Sequence, residues 1–436
     1  MEEKKKMKVA MICHFSNAEV RDSLPLSEGK ALNFMLRLFK QKPFKYGDFA
    51  PWVNSIAANC FKYHELEMHV IAPHFGLKVK RFDFEKGGVY YHFIKNRPNY
   101  LFQGFDRRLF RSKLVRYRKN YQIINRIVTE IDPTLVVLVG AENPDYSGSV
   151  LDIKKKPIFL MCQTVFDNPE FESFYEKGSY QKRKALEKRI MAFTPYLGCY
   201  SDKHYNLLKQ RTVNSYIFRF NWPNLPKKFS VVSSEKEYDF INFANSMSFQ
   251  KGYHDSIQAL AIVKKQYPNV KMVLIDNGPQ TTKGELEKMI DDLGLIENVK
   301  FVPFFEHQQD LFQFLESVRF AVLPCKVDYI SGTMLQSMRQ GIPIVVYETE
   351  GTVTLNSDRR CALIAKQNDV EGLAHHMISL MSDNTLAKEL SESGKSYMEA
   401  YRENNERSMD DIVNIFKEIT EHYYNGAVIN SDHLFG

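Results

Sequence analysis

Between Phe320 and Tyr347 the chain reads FAVLPCKVDYISGTMLQSMRQGIPIVVY. An apolar run, a polar loop, a helix-like segment and a second apolar run follow one another. Ser331-Gly332-Thr333 has the composition of a helix opening, with Ser331 as N-cap and Gly341 as the closing glycine. Such an opening offers unpaired backbone N–H groups and the positive end of a dipole to an anion. Gly332 lets a ligand come close to the backbone. Asp328 stands in the loop just before, and the Gln336 amide within the helix is able to donate to, or accept from, a hydroxyl. In the other half of the chain, Glu142 and Gln163 follow two strand-like runs, where ligands of open parallel sheets gather. A plainer reading stands beside each: a βαβ unit with a solvated loop, and loop side chains bonded to nearby backbone.

The elements that must position these residues alternate. KVAMICHF, MHVIAP, VYYHFI, TLVVLV, PIFLMCQ and YLGCYS read as strands, YLGCYS being the last of the first half. Trp52, Ile56, Ala57, Cys60 and Phe61 fall at helical spacing, with Asp48 as a candidate cap. NWPNLPKKFSVVSSEKEY, rich in Pro, Ser and Lys, has the composition of a linker. A second pattern then starts afresh, with strands DFINFANS, VKMVLIDNG, VKFVPFF, FAVLPC, PIVVYE and ALIAK. Helical stretches at 252–266, 283–293, 308–317, 332–340 and 370–382 separate them. This alternation predicts α/β architecture with parallel, doubly wound sheets. A polar helical segment occupies 385–425.

Composition narrows the class. A chain of 436 residues exceeds one hydrophobic core, and 44% hydrophobic with 25% charged residues describes an ordinary soluble protein. A net charge of +7 without clustering on one face is not a nucleic-acid footprint. Six scattered cysteines without a C-x-x-C pair point to buried free thiols in a reducing compartment. No run has the length of a membrane span and the N-terminal apolar run is too short for a signal peptide, so the expected location is the cytoplasm. One basic stretch, 107–119, interleaves Arg107, Arg108, Arg111, Arg116 and Lys119 with Leu109, Phe110 and Tyr117. It reads either as a surface for anionic membrane or as a solvated helix packed on its own domain.

Taken together, FANSMSFQKGYHDSIQAL, VKMVLIDNGPQ, NVKFVPFFEHQQDLFQFLESVRFAVLPC, DYISGTMLQSMRQGIPIVVYETEG and LIAKQNDVEGLAHHMISLMSD resemble, in order and spacing, the donor domain of retaining GT-B glycosyltransferases of family 4. The resemblance implies two Rossmann-like domains of doubly wound parallel sheet facing across a cleft. It divides the chain into 1–222 on the acceptor side, a linker at 223–238, a nucleotide-sugar donor domain at 239–400, and a C-terminal helix within 401–436 that crosses back. Asn245, Ser246, Lys251, Gly252, Ser331, Gly332, Thr333 and Gln336 would bind the donor, and Asp328 would face its sugar hydroxyls. Glu142 and Gln163 would orient the acceptor or the sugar, with Gly47 and Asp48 also on the acceptor side. The sequence departs from the family where Ser246 replaces an expected Arg, Asp328 and Gln336 replace the paired Glu, and Gln163 replaces a His.

The implied activity is transfer of a hexosyl or related sugar from a UDP- or GDP-sugar to a glycan or lipid-linked acceptor, in cell-surface polysaccharide synthesis. It would need no cofactor and no metal, since Lys251 and the Ser331–Thr333 N–H groups would carry the diphosphate. The enzyme would be cytoplasmic, or peripheral at the inner membrane face through 107–119. The rival reading, prompted by the missing Arg and Glu residues, is a degenerate GT-B protein that binds a glycan or partner without turnover.

Overall fold

The computed structural model describes residues 6–435 apart from 28, 30–32, 35–45, 47–49, 97–112, 167–176, 213, 224–230, 245, 306, 327–329 and 350. The chain divides into two compact units. One runs through Leu225 and takes in Asn404–Gly436; the other is Pro226–Glu403.

The first unit contains β1 (Met7–Ile12), α1 (Ala18–Arg21), α2 (Pro51–Asn59), β2 (Leu66–His74), β3 (Arg81–Lys86), β4 (Val89–Lys95), α3 (Lys113–Ile131), β5 (Leu135–Val139), β6 (Ile158–Met161), α4 (Lys177–Phe193), β7 (Tyr196–Cys199), α5 (Asp202–Lys209) and β8 (Tyr216–Arg219). They form one sheet in the order β3-β4-β2-β1-β5-β6-β7-β8. Side chains alternate across it. Val9 and Met11 of β1 point to one face with Val53 and Ile56 of α2, while Ala10 and Ile12 point to the other with Ile124 of α3 and Ile190 of α4. Coverage on both faces explains why β5 reads LVVLV without a polar residue.

The second unit contains β9 (Tyr238–Asn242), α6 (Tyr253–Gln266), β10 (Met272–Asp276), α7 (Gln280–Asp292), β11 (Val299–Pro303), α8 (Gln308–Leu315), β12 (Val318–Leu323), α9 (Gly332–Arg339), β13 (Ile344–Tyr347), β14 (Ala362–Ala365) and α10 (Val370–Ser382). Its sheet runs β11-β10-β9-β12-β13-β14, with every pairing parallel. The order reverses between β9 and β12, and in the first sheet between β1 and β5. At such points consecutive crossovers leave to opposite sides and open a crevice beyond the strand ends.

One helix, α11 (Asn384–Asn425), belongs to both units. Met398 packs in the second unit's core, whereas Met409, Ile412, Val413, Phe416 and Ile419 form a stripe at helical spacing on the first unit's core. All six cysteines are buried and free. Among the described residues no helix is long and apolar enough to cross a membrane.

The structure corrects three expectations. YLGCYS is not the last strand of the first half, because β8 adds outside β7; at 4 residues, YIFR is too short to show a period. The first sheet is not wholly parallel: β3 pairs antiparallel with β4 through Gly87-Gly88, both at positive φ, the backbone of a tight two-residue hairpin. Asp48 lies outside the described residues, and the position expected for it at the head of α2 is held by Ala50, followed by Pro51 at the first helical position.

Phe416 is fully buried and meets Phe159 of β6 edge-on at 6.2 Å. Phe416→Ala should lower the first unit's stability by about 3–5 kcal/mol in urea unfolding. A loss under about 1 kcal/mol would mean that the site collapses around the missing ring.

Candidate functional site

Two loops meet at the reversal point of the second sheet. After β9 the chain passes exposed Ser246 and makes a short turn, Phe249–Lys251, that ends at Gly252 with φ 72°. A Cβ there would lie 2.3 Å from the Pro324 carbonyl oxygen, beyond the end of β12, so only glycine allows the approach. The contact is locked by the Lys326 N–H, which donates to the Gln250 carbonyl at 2.9 Å. Lys251 is half-buried rather than exposed, its Nζ lying 3.7 Å from Cys325 Sγ. The loop after β9 and the loop that leads to α9 thus touch at Lys251.

That second loop ends in the helix opening. Ser331 is the N-cap of α9; its hydroxyl accepts from the Met334 N–H at 3.4 Å and lies 2.9 Å from Thr333 Oγ1. Gly332 is exposed, and among the described residues a Cβ on it would meet nothing within 4 Å, so the helix opening is accessible at that residue. Gln336 is half-buried one turn on. Asn245, Asp328, Gly47 and Asp48 lie outside the described residues.

Sequence reasoning missed Lys326. Its side chain is 11% exposed, and the ammonium lies 2.7 Å from Asp255 Oδ2 at the start of α6 and 2.7 Å from Asn368 Oδ1 after β14. It also stands 4.1 Å above the Phe249 ring, and its carbonyl accepts from the Gln367 amide. One residue therefore ties together the loops that follow β9, β12 and β14. Asp255 and Lys326 stand in the sequence as two opposite charges and nothing more. Nothing in the sequence links positions so far apart. Next to this knot, Glu348, Thr349, Val353, Lys366 and Gln367 line an open hollow of about 480 Å³ beyond β13 and β14.

In the first unit, Glu142 and Gln163 converge. Gly140, with φ 78°, follows the last residue of β5, and a Cβ there would sit 2.9 Å from Glu142 Oε2 and 3.0 Å from Gln163 Oε1. Glycine is what allows both polar groups to fold over that peptide. Glu142 is buried, and its Oε2 has no hydrogen-bond partner among the described residues. Burial raises its carboxyl above the ordinary value, partly opposed by bonds to its own backbone and by Arg183. His14, beyond β1, is lowered by burial, with Asp145 and Arg183 acting on it in opposite senses.

Residues 226–397 match the family described as Glycosyl transferases group 1. The lipopolysaccharide core biosynthesis glycosyltransferase LpsE of Rhizobium meliloti (strain 1021) is 30% identical over 145 residues, 33% of this chain and 40% of that protein. The poly(glycerol-phosphate) alpha-glucosyltransferase of Bacillus subtilis (strain 168) is 26% identical over 174 residues, 39% of this chain and 24% of that protein. The chain spans less than two thirds of the length of these curated relatives. Among solved structures, sucrose-phosphate synthase from Thermosynechococcus elongatus is similar with a TM-score of 0.67 at 12% identity, over 95% of this chain and 99% of that one. Anabaena Alr3699/HepE, solved in complex with UDP and glucose, gives 0.61 at 13% identity, over 94% and 99%. At these identities the likeness is one of fold: the chain has the GT-B fold of two Rossmann-like domains.

Two measurements check this geometry. Lys326→Met leaves the Asp255 carboxylate buried and alone and should cost about 3–5 kcal/mol in urea unfolding, whereas Lys326→Met with Asp255→Leu should recover most of that loss. Additive losses would mean that the two charges do not depend on each other. For Glu142, the folded state holds its proton where the unfolded chain has already lost it. Its stabilising contribution is full below the ordinary carboxyl value of 4.5 and is lost as pH rises through the raised one. Glu142→Gln should therefore flatten the fall in stability as pH rises above the ordinary carboxyl value of 4.5, and an unchanged slope would show a solvated carboxylate.

Proposed function

We propose that the chain is a retaining, metal-independent glycosyltransferase of family 4 that moves a hexosyl or related sugar from a UDP- or GDP-sugar to a glycan or lipid-linked acceptor in cell-surface polysaccharide synthesis. One observation carries the reading: Lys251 and the loop leading into the first turn of α9 meet at the reversal point of the second sheet. A diphosphate leaving group develops negative charge as the bond to the sugar breaks. A lysine ammonium and the free N–H groups of Gly332 and Thr333 are cationic and dipolar groups of the kind that stabilise it. The matched relatives, named for lipopolysaccharide core and poly(glycerol-phosphate) glycosylation, support the acceptor class. The UDP-bound neighbour supports the donor class.

In this reading the acceptor oxygen attacks the anomeric carbon on the face the nucleotide leaves. The bond from that carbon to the phosphate oxygen breaks, and the acceptor proton passes to the departing phosphate. No protein nucleophile is required. Asn245, Ser246, Lys251, Gly252, Ser331, Gly332 and Thr333 cradle the donor phosphates, and Gln336 hydrogen-bonds the ribose. An amide does so without the charge-assisted strength of a carboxylate. Asp328 faces the sugar hydroxyls. Glu142 and Gln163, with Gly47 and Asp48 on the same side, orient the acceptor. The stretch 107–119 holds the enzyme against the anionic cytoplasmic face of the membrane.

Calorimetry with UDP, GDP and their sugars should show binding of one nucleotide class. Lys251→Ala should lower transfer to octyl glycosides by about 100-fold or more, the scale set by losing one charge-stabilising group. Binding of neither nucleotide would overturn the donor reading. Nucleotide binding with no transfer, unchanged by Lys251→Ala, would favour a binding protein without turnover.

A further inference from the structure

The first unit holds a second buried carboxylate that no role above uses. Glu187 lies on α4, and its side chain is fully buried, 0% exposed. Burying a carboxylate is costly unless it is paired and hydrogen-bonded. Glu187 is both. Its two oxygens accept from the Phe166 N–H at 2.9 and 3.2 Å, and Arg211 Nη1 donates to it at 3.2 Å. The carbonyl of the same residue is held from the same helix, because the Tyr180 hydroxyl donates to it at 2.5 Å. Phe166 is three residues beyond Gln163 in the loop that follows β6. One turn before Glu187, Arg183 Nη1 reaches the Glu142 carbonyl at 3.4 Å. A single helix therefore grips both loops whose side chains meet over Gly140.

We infer that Glu187, paired with Arg211, is a positioning residue that holds Gln163 against Glu142 and so sets the acceptor-binding geometry of this enzyme. The inference rests on the reading of Glu142 and Gln163 given above. A simple structural tether would be served by a neutral acceptor for the Phe166 N–H. Glu187 is instead an ionisable group beside a second buried acid: burial first, and then the neighbouring Glu142, push its carboxyl well above the ordinary range. The two acids are thus electrically coupled as well as joined through α4. The groups around them are Arg183 and Lys184 on α4, Arg211 beyond α5, Tyr146 and Asp145 after β5, and Cys162 after β6.

The test measures transfer to octyl glycosides with the UDP- or GDP-sugar that calorimetry selects. Glu187→Ala should raise the acceptor KM or lower kcat at saturating acceptor by about tenfold or more, while the donor KM and nucleotide affinity stay within twofold. Glu187→Gln, which keeps an acceptor for the Phe166 N–H, should restore part of that loss. Tyr180→Phe removes the hydroxyl that donates to the Phe166 carbonyl and should shift the acceptor KM in the same direction. It carries the test where Glu187→Ala does not fold. Glu142→Gln and Gln163→Ala are measured in parallel. If those two impair transfer and the Glu187 and Tyr180 variants do not, the positioning role is overturned and the site stands. If Glu142→Gln and Gln163→Ala leave transfer intact, the acceptor-side reading falls and the inference falls with it. A loss in Glu187→Ala that matches its unfolded fraction and affects donor and acceptor parameters equally would make Glu187 structural only.

Discussion

A largely shielded lysine and a buried aspartate, 2.7 Å apart, hold the carboxyl end of the second sheet in shape. At the reversal point between β9 and β12 the crossovers diverge, so helix packing alone leaves the strand ends uncovered. The loops there need another source of order. Lys326 provides it by reaching Asp255 on one side and Asn368 on the other, while Gly252 lets the backbone close onto Pro324. Such a pair adds little net stability compared with well-packed apolar residues. What it contributes here is a defined placement for Lys251 and for the approach to α9.

The first unit meets the same problem with other chemistry. At its reversal point, a glycine at positive φ follows β5, and an acid and an amide fold over it. Their loops are tied from behind by α4 through Glu187, Tyr180 and Arg183. In the first unit the groups able to touch a ligand stand on loops, and the groups that orient them stand on a helix behind.

Much of this was legible in the residues. Runs such as LVVLV and IVVY are apolar because both faces of the sheet are covered, and the helix stretches between them fall where the structure has them. Ser331 reads as an N-cap and is one. The less legible features depend on contacts between distant positions. β3 mixes charge with phenylalanine, and β8 is too short to carry a period. Lys326 with Asp255, and Glu187 with Phe166, are unremarkable letters until the fold brings them together. Lys251 shows the limit from the other side: its place before Gly252 could be read, but its partial burial against Cys325 could not.

The long helix α11 has a consequence for how the protein is made. A ribosome releases the first unit's sheet long before the stripe from Met409 to Ile419 that covers one of its faces. Through synthesis of some two hundred residues that face waits without its final cover, while the second unit can already collapse around its own strands. The later half of the molecule is thus able to mature first. The earlier half stays exposed to chaperones and to mispairing until the last turns emerge.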